Sequence, residues 1–177
     1  METKQNGPAP AFAELRDHLA ALSTREAASV TGGHLDLAPG LWLSSDPDGG
    51  AAMGAAPGEG GFRLTVSGAG RSRWTSLGMA LPKEKLAQSR YLGLFTGMES
   101  GALVSFTPAL RYRAGSGVED TAPPLPVLLP AGRHEDLAWI PVDPARLDRA
   151  EACELNLFFH TDEVDALVWR LEPGVMS

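Results

Sequence analysis

The chain has 177 residues, 44% of them hydrophobic and 21% charged, with 20 glycines, 14 prolines and a formal net charge of −7. That length holds one domain whose core closes without disulfides or metals, and so many chain breakers suit a turn-rich β protein and suit a helix bundle poorly. A mildly acidic surface with scattered Lys and Arg and no basic stripe excludes nucleic acid as the expected partner.

The single cysteine, Cys153, excludes an intramolecular disulfide and a multi-cysteine zinc site. The start, METKQNGPAPAF, lacks the apolar core of a secretory signal. No run approaches about 18 apolar residues, so no membrane partner is expected. The expected location is the cytoplasm, with export lacking a cleaved leader left open.

Residues 1–10 read as a loose polar arm. Phe12, Leu15, Leu19 and Leu22 then fall on one face of a short helix over 11–22. This helix is expected to pack on its own domain, the rival being a docking helix for a partner. Residues 23–29 extend it until Thr31-Gly32-Gly33 ends it. Short strands follow at 35–37 and 41–43 around Pro39-Gly40. Residues 44–61 are small and Gly-rich and read as a flexible loop. An N-terminal extension over 1–61 thus packs on a main body over 62–177, together one structural domain.

From residue 62 the chain reads as strand after strand: 62–67, 73–81, 90–97, a long strand at 102–113 kinked or bulged at Pro108, an edge strand at 125–129, then 135–142, 154–160 and 164–171. Residues 82–89 and 143–153 are connections with room for a helical turn, and 114–124 is a loop. Alternating strands without long helices between them predict a mostly β protein, an antiparallel two-sheet β-sandwich with a short N-terminal helix.

Ser89-Arg90-Tyr91-Leu92-Gly93-Leu94, Leu110-Arg111-Tyr112-Arg113, the stretch from Gly132 to Trp139, and Leu155-Asn156-Leu157-Phe158-Phe159 followed by Ala166 to Leu171 carry a likeness. In these stretches, residues 72–172 resemble the jelly-roll carbohydrate-binding modules, more broadly the galactose-binding-like β-sandwiches. The resemblance implies a jelly-roll and, as its function, glycan binding on a sheet face. Sandwiches of this type also serve in interaction and assembly.

The chemistry-bearing motifs are few. A Walker A loop, a dinucleotide-binding glycine fingerprint and a nucleophile elbow are all missing from the sequence. His18, His34, His134 and His160 show no metal-ligand spacing. Asp46-Pro47-Asp48-Gly49-Gly50 begins like a calcium loop, but Pro57 stands where the closing Glu belongs. Glu135, Asp136, Asp162, Glu163 and Asp165 would be the other calcium candidates if one sandwich end gathered them. The expectation is therefore no required cofactor, with calcium the cation to test, and no catalytic residues.

Sugar binding needs aromatic faces for apolar CH patches and planar polar groups for hydroxyls. Trp74, beside Arg71 and Arg73, is the most suggestive residue, and Tyr91 lies opposite Leu92 and Leu94. Tyr112 lies between Arg111 and Arg113, with the strand phase leaving open which side faces solvent. The expected ligand-binding set is Trp74, Tyr91, Arg111, Tyr112 and Arg113, with Trp42, Trp139 and Trp169 assigned to packing. Two other readings stand beside a noncatalytic glycan binder. One is an assembly domain, homodimeric or docking a protein partner. The other is a cupin-like enzyme, which requires His134 and His160 to converge inside the sandwich.

Overall fold

The computed structural model describes residues 11–176. The arm expected at 1–10 lies outside the described residues. In chain order the elements are α1 (Phe12–Ala21), β1 (Ala28–Thr31), β2 (Gly33–Ala38), β3 (Leu41–Ser45), β4 (Ala52–Gly58), β5 (Gly61–Ser67), β6 (Thr75–Leu81), α2 (Lys83–Leu86), β7 (Tyr91–Ser100), β8 (Val104–Ala114), β9 (Gly117–Thr121), β10 (Val127–Leu129), β11 (Gly132–Pro141), α3 (Pro144–Arg149), β12 (Ala152–Phe159) and β13 (Val164–Met176).

Two antiparallel sheets face each other. Sheet A runs β1-β4-β5-β13-β7-β11, and sheet B runs β10-β8-β12-β6-β3-β2. Both β9 and β10 pair with the edge of β8 that β12 leaves free, so together they form one interrupted strand. Counted that way, the eight strands from β5 onward lie in the order 1-8-3-6 in sheet A and 2-7-4-5 in sheet B. That order is a jelly-roll, two Greek keys wrapped on one another. The expected two-sheet sandwich with a short N-terminal helix is the fold observed.

Strict alternation builds the core. Phe106 and Leu110 of β8, Leu155 and Leu157 of β12, Leu77 and Met79 of β6, and Leu92 and Leu94 of β7 all turn inward and are fully buried. Leu15, Leu19 and Leu22 of the N-terminal helical segment join the same cluster. The apolar stripe of α1 is thus used within its own domain.

The structure departs from the sequence reading in four places. Residues 52–58, expected within a flexible loop, form β4, a full ladder partner of β5. Met53 and Ala55 turn into the core, and backbone pairing stabilises a segment whose small side chains looked too poor to order. Residues 28–31, expected to prolong the helix, instead pair with β4 as edge strand β1. Residues 117–121, expected as loop, form β9. The bulge expected at Pro108 is absent: β8 and β12 stay in register through the Pro108–Leu157 pair. The interruption falls across the other edge, where residues 122–126 leave the ladder opposite the proline that has no N–H to give.

Candidate ligand-binding face

The inward alternation of sheet B fixes what its outward face carries. Thr107, Ala109, Arg111 and Arg113 of β8 face out, as do Glu154, Asn156 and Phe158 of β12, Ser76, Gly78 and Ala80 of β6, and Trp42 and Ser44 of β3. Register aligns them in rows across the strands. One row reads Thr107, Phe158, Ser76, Ser44, His34, and the next Ala109, Asn156, Gly78, Trp42, Asp36.

The middle of this face is covered by its own neighbours. Ser76, Asn156 and Glu154 are only 2%, 3% and 4% exposed, although they point away from sheet A. Taller side chains stand around them. On one side, Arg111 holds Asp120 through two hydrogen bonds of 2.8 Å and lies 5.3 Å from the Phe158 ring. Arg113 donates through Nε to the Glu154 carboxylate, and Asn156 Nδ2 lies 3.5 Å from the other Glu154 oxygen.

On the other side, Trp42 lies against the sheet over Gly78. A Cβ at Gly78 would sit 2.2 Å from the indole Nε1. The His34 ring packs on Trp42 at a centroid distance of 5.9 Å, and its Nε2 is 2.9 Å from Asp36 Oδ1. Trp74 precedes β6 in the same phase as Ser76 and is half-buried, its Nε1 donating to Ser44 Oγ at 3.5 Å. The Arg73 guanidinium lies 5.2 Å from the Trp74 ring centroid. Gly78→Val is expected to cost about 1–3 kcal/mol by overpacking. It should also expose the displaced Trp42, read as a red shift in tryptophan emission together with a lower denaturation midpoint.

Of the five residues expected to bind ligand, Trp74, Arg111 and Arg113 share this face. Tyr112 does not. It is 2% exposed and turned into the core, because β8 buries its even-numbered residues from Val104 to Tyr112. Its hydroxyl accepts from the Asp143 N–H at 2.9 Å, and burial pushes its phenol pKa up. Tyr91 is 47% exposed but stands on the outward face of sheet A, the opposite side of the molecule. There it meets Trp139 edge to face, with centroids 6.4 Å apart. Trp139, expected in the core, is 40% exposed, since Ala138 and Ile140 take the inward positions of β11. Trp169 is half-buried on sheet A under the guanidinium of Arg133 at 4.3 Å.

The other chemistry-bearing groups disperse. His134 bonds the Ala131 carbonyl and His160 bonds Thr107, one on each sheet, so the pair an enzyme reading requires does not meet inside the sandwich. Asp162 and Glu163 accept from the Gly70 and Gly68 N–H groups, Asp165 pairs with Arg63, and Glu135 pairs with Arg170. Among the described residues no group of three or more His, Cys, Asp or Glu side chains is placed to hold a metal. Burial pushes the Cys153 thiol up to about 11, so it stays protonated at neutral pH.

Asp46, which opens the stretch resembling a calcium loop, is 3% exposed. It accepts from Arg73 Nε at 2.7 Å, Arg73 Nη2 at 2.8 Å, the Arg73 N–H at 3.1 Å and the Asp48 N–H at 3.2 Å. The Arg73 hydrogen bonds hold its carboxyl well below the usual carboxylate range, against the opposing effect of burial. A depressed folded-state pKa contributes stability above the unfolded value of about 4, lost only as pH falls toward the folded one. The pair is therefore fully charged at neutral pH.

Asn156, Glu154, Ser76 and Phe158 were not singled out in the sequence. Their signal was present: in Glu154-Leu155-Asn156-Leu157-Phe158-Phe159 the polar residues occupy the alternate positions to the leucines.

No protein-family model matches the chain, and no curated protein matches it. Among solved structures the chain is similar to the CBM22-1 xylan-binding domain of Paenibacillus barcinonensis Xyn10C, at 10% identity and a TM-score of 0.49, over 84% of this chain and 92% of that one. It is also similar to a family 11 carbohydrate-binding module from Clostridium thermocellum, solved in complex with a β-1,3-1,4-mixed-linked tetrasaccharide, at 12% identity and a TM-score of 0.46, over 84% and 88% of the two chains.

Proposed function

We propose that the outward face of sheet B is a noncatalytic carbohydrate-binding surface. One observation carries the reading: Trp74 and Phe158 stand half-exposed on one sheet face that also presents the Arg111 and Arg113 guanidinium groups. Glu154 is already held by Arg113 and Asn156, so the buried polar row braces the face and a ligand meets its rim. Arg111 and Arg113 offer guanidinium donors to sugar hydroxyls. Trp74 and Phe158 supply apolar ring surface for CH patches, the amphipathic match that aromatic side chains provide. The proposal is limited to binding, since His134 and His160, the pair singled out for an enzyme reading, are bonded apart.

The test is a glycan panel run with calcium and again with chelator, since calcium is the cation we propose to examine. Binding should fall in Trp74→Ala and Arg111→Ala. Tyr91→Ala should bind as the native chain does, because Tyr91 lies on the other sheet. Equal loss from Tyr91→Ala would place the ligand on the wrong face for this reading.

The Tyr91–Trp139 pair supports a second reading, assembly through sheet A. Large exposed aromatics in contact are the usual centre of a protein interface. A concentration-dependent dimer in light scattering, abolished by Trp139→Asp, would support it.

A further inference from the structure

We infer that Asp46 is the positioning residue of the binding face, setting Trp74 through Arg73; the inference rests on the carbohydrate reading of that face. Asp46 lies just past β3, and its side chain turns to the residues that lead into β6. Its carboxylate takes both fork nitrogens of Arg73 as well as the Arg73 backbone N–H, while its own backbone N–H donates to the Trp74 carbonyl at 3.1 Å. One residue therefore fixes the backbone of the Arg73-Trp74 dipeptide and the direction of the guanidinium.

The fork leaves Arg73 little freedom. With Nε and Nη2 committed to Asp46, the guanidinium plane is held beside the Trp74 ring. Arg73 remains largely exposed, and Asp48 also approaches its Nη2, at 3.6 Å. A ligand on this face thus meets the indole and a guanidinium donor as one preset surface, and does not have to order two long side chains on arrival. Removing that ordering step is the general route by which a second residue raises affinity without touching the ligand. The loop behind is closed tightly: a Cβ on Gly49 would lie 2.2 Å from Ser72 Oγ, so residues 46–50 pack directly on 72–74.

The test uses the whole chain with Asp46→Asn, and Arg73→Gln as a second variant at a largely exposed site. The first readout needs no ligand: the Trp74 indole N–H resonance, assigned by its loss in Trp74→Phe. Both variants should shift that resonance and leave those of Trp139 and Trp169 in place. The second readout is affinity for the best glycan of the panel. Asp46→Asn should weaken it about tenfold, and adding Asp46→Asn to Trp74→Ala should change it by less than about twofold, because the two act as one coupled element. Asp46→Glu should recover part of the loss. An unmoved Trp74 resonance overturns the inference, as does an Asp46→Asn that binds like the native chain when Trp74→Ala does not. If no glycan binds the native chain, the carbohydrate reading fails by itself, while the resonance still decides whether Asp46 sets Trp74.

Discussion

Phe106→Ala is expected to lower the unfolding free energy by about 3–5 kcal/mol, the range for emptying a buried aromatic site. Phe106 is fully buried on β8, the strand that links β12 to the interrupted β9–β10 edge. Its ring packs on Phe159 at a centroid distance of 5.8 Å, and it pairs across the sheet with both Phe159 and Val127. A sandwich core of leucines fixed by two ladders collapses poorly into such a space. The loss is a large share of the roughly 5–15 kcal/mol that holds a domain folded. In a urea titration the midpoint should fall steeply at an unchanged slope. A loss below about 1 kcal/mol would mean that Phe106 does not fill the core as described.

Trp74→Ala is expected to weaken glycan binding by about 2 kcal/mol, some thirtyfold in Kd. The ring is half-buried and tied at its edge to Ser44, with Arg73 held beside it, so little ordering is left for the bound state. Fold stability should change far less than affinity, because Trp74 lies outside the continuous core cluster. Titration calorimetry beside a thermal melt separates the two. Unchanged affinity in a folded Trp74→Ala would remove the aromatic wall from the account.

Period-2 alternation made most of the fold legible. Apart from β9, read as loop, the strands of the jelly-roll body, the two short helical connections and the α1 stripe were readable from apolar spacing. β4 was not. Its Ala, Gly and Pro side chains carry almost no propensity signal, and it orders only because β5 and β1 supply backbone partners distant from it in kind though near in sequence. The candidate face was half legible. Arg111 and Arg113 follow from alternation, but Tyr112 between them could be placed only once the burial of Val104 and Phe106 fixed the phase. Tyr91 and Trp74 could not be assigned to opposite sheets from sequence, since sheet membership depends on long-range pairing. The same limit hid Asp46, whose partner Arg73 reaches it across a β-hairpin that the Gly-rich stretch disguised as a loop.

The proposal under test is that the outward face of sheet B receives the ligand. Its most direct test is backbone amide mapping by NMR during titration with the best glycan of the panel. Perturbed resonances are expected at Ser76, Arg111, Glu154, Asn156 and Phe158, with Tyr91 and Trp139 unchanged. Perturbations gathered on Tyr91, Trp139 and the rest of sheet A, or saturating binding that leaves Asn156 and its neighbours untouched, would contradict it.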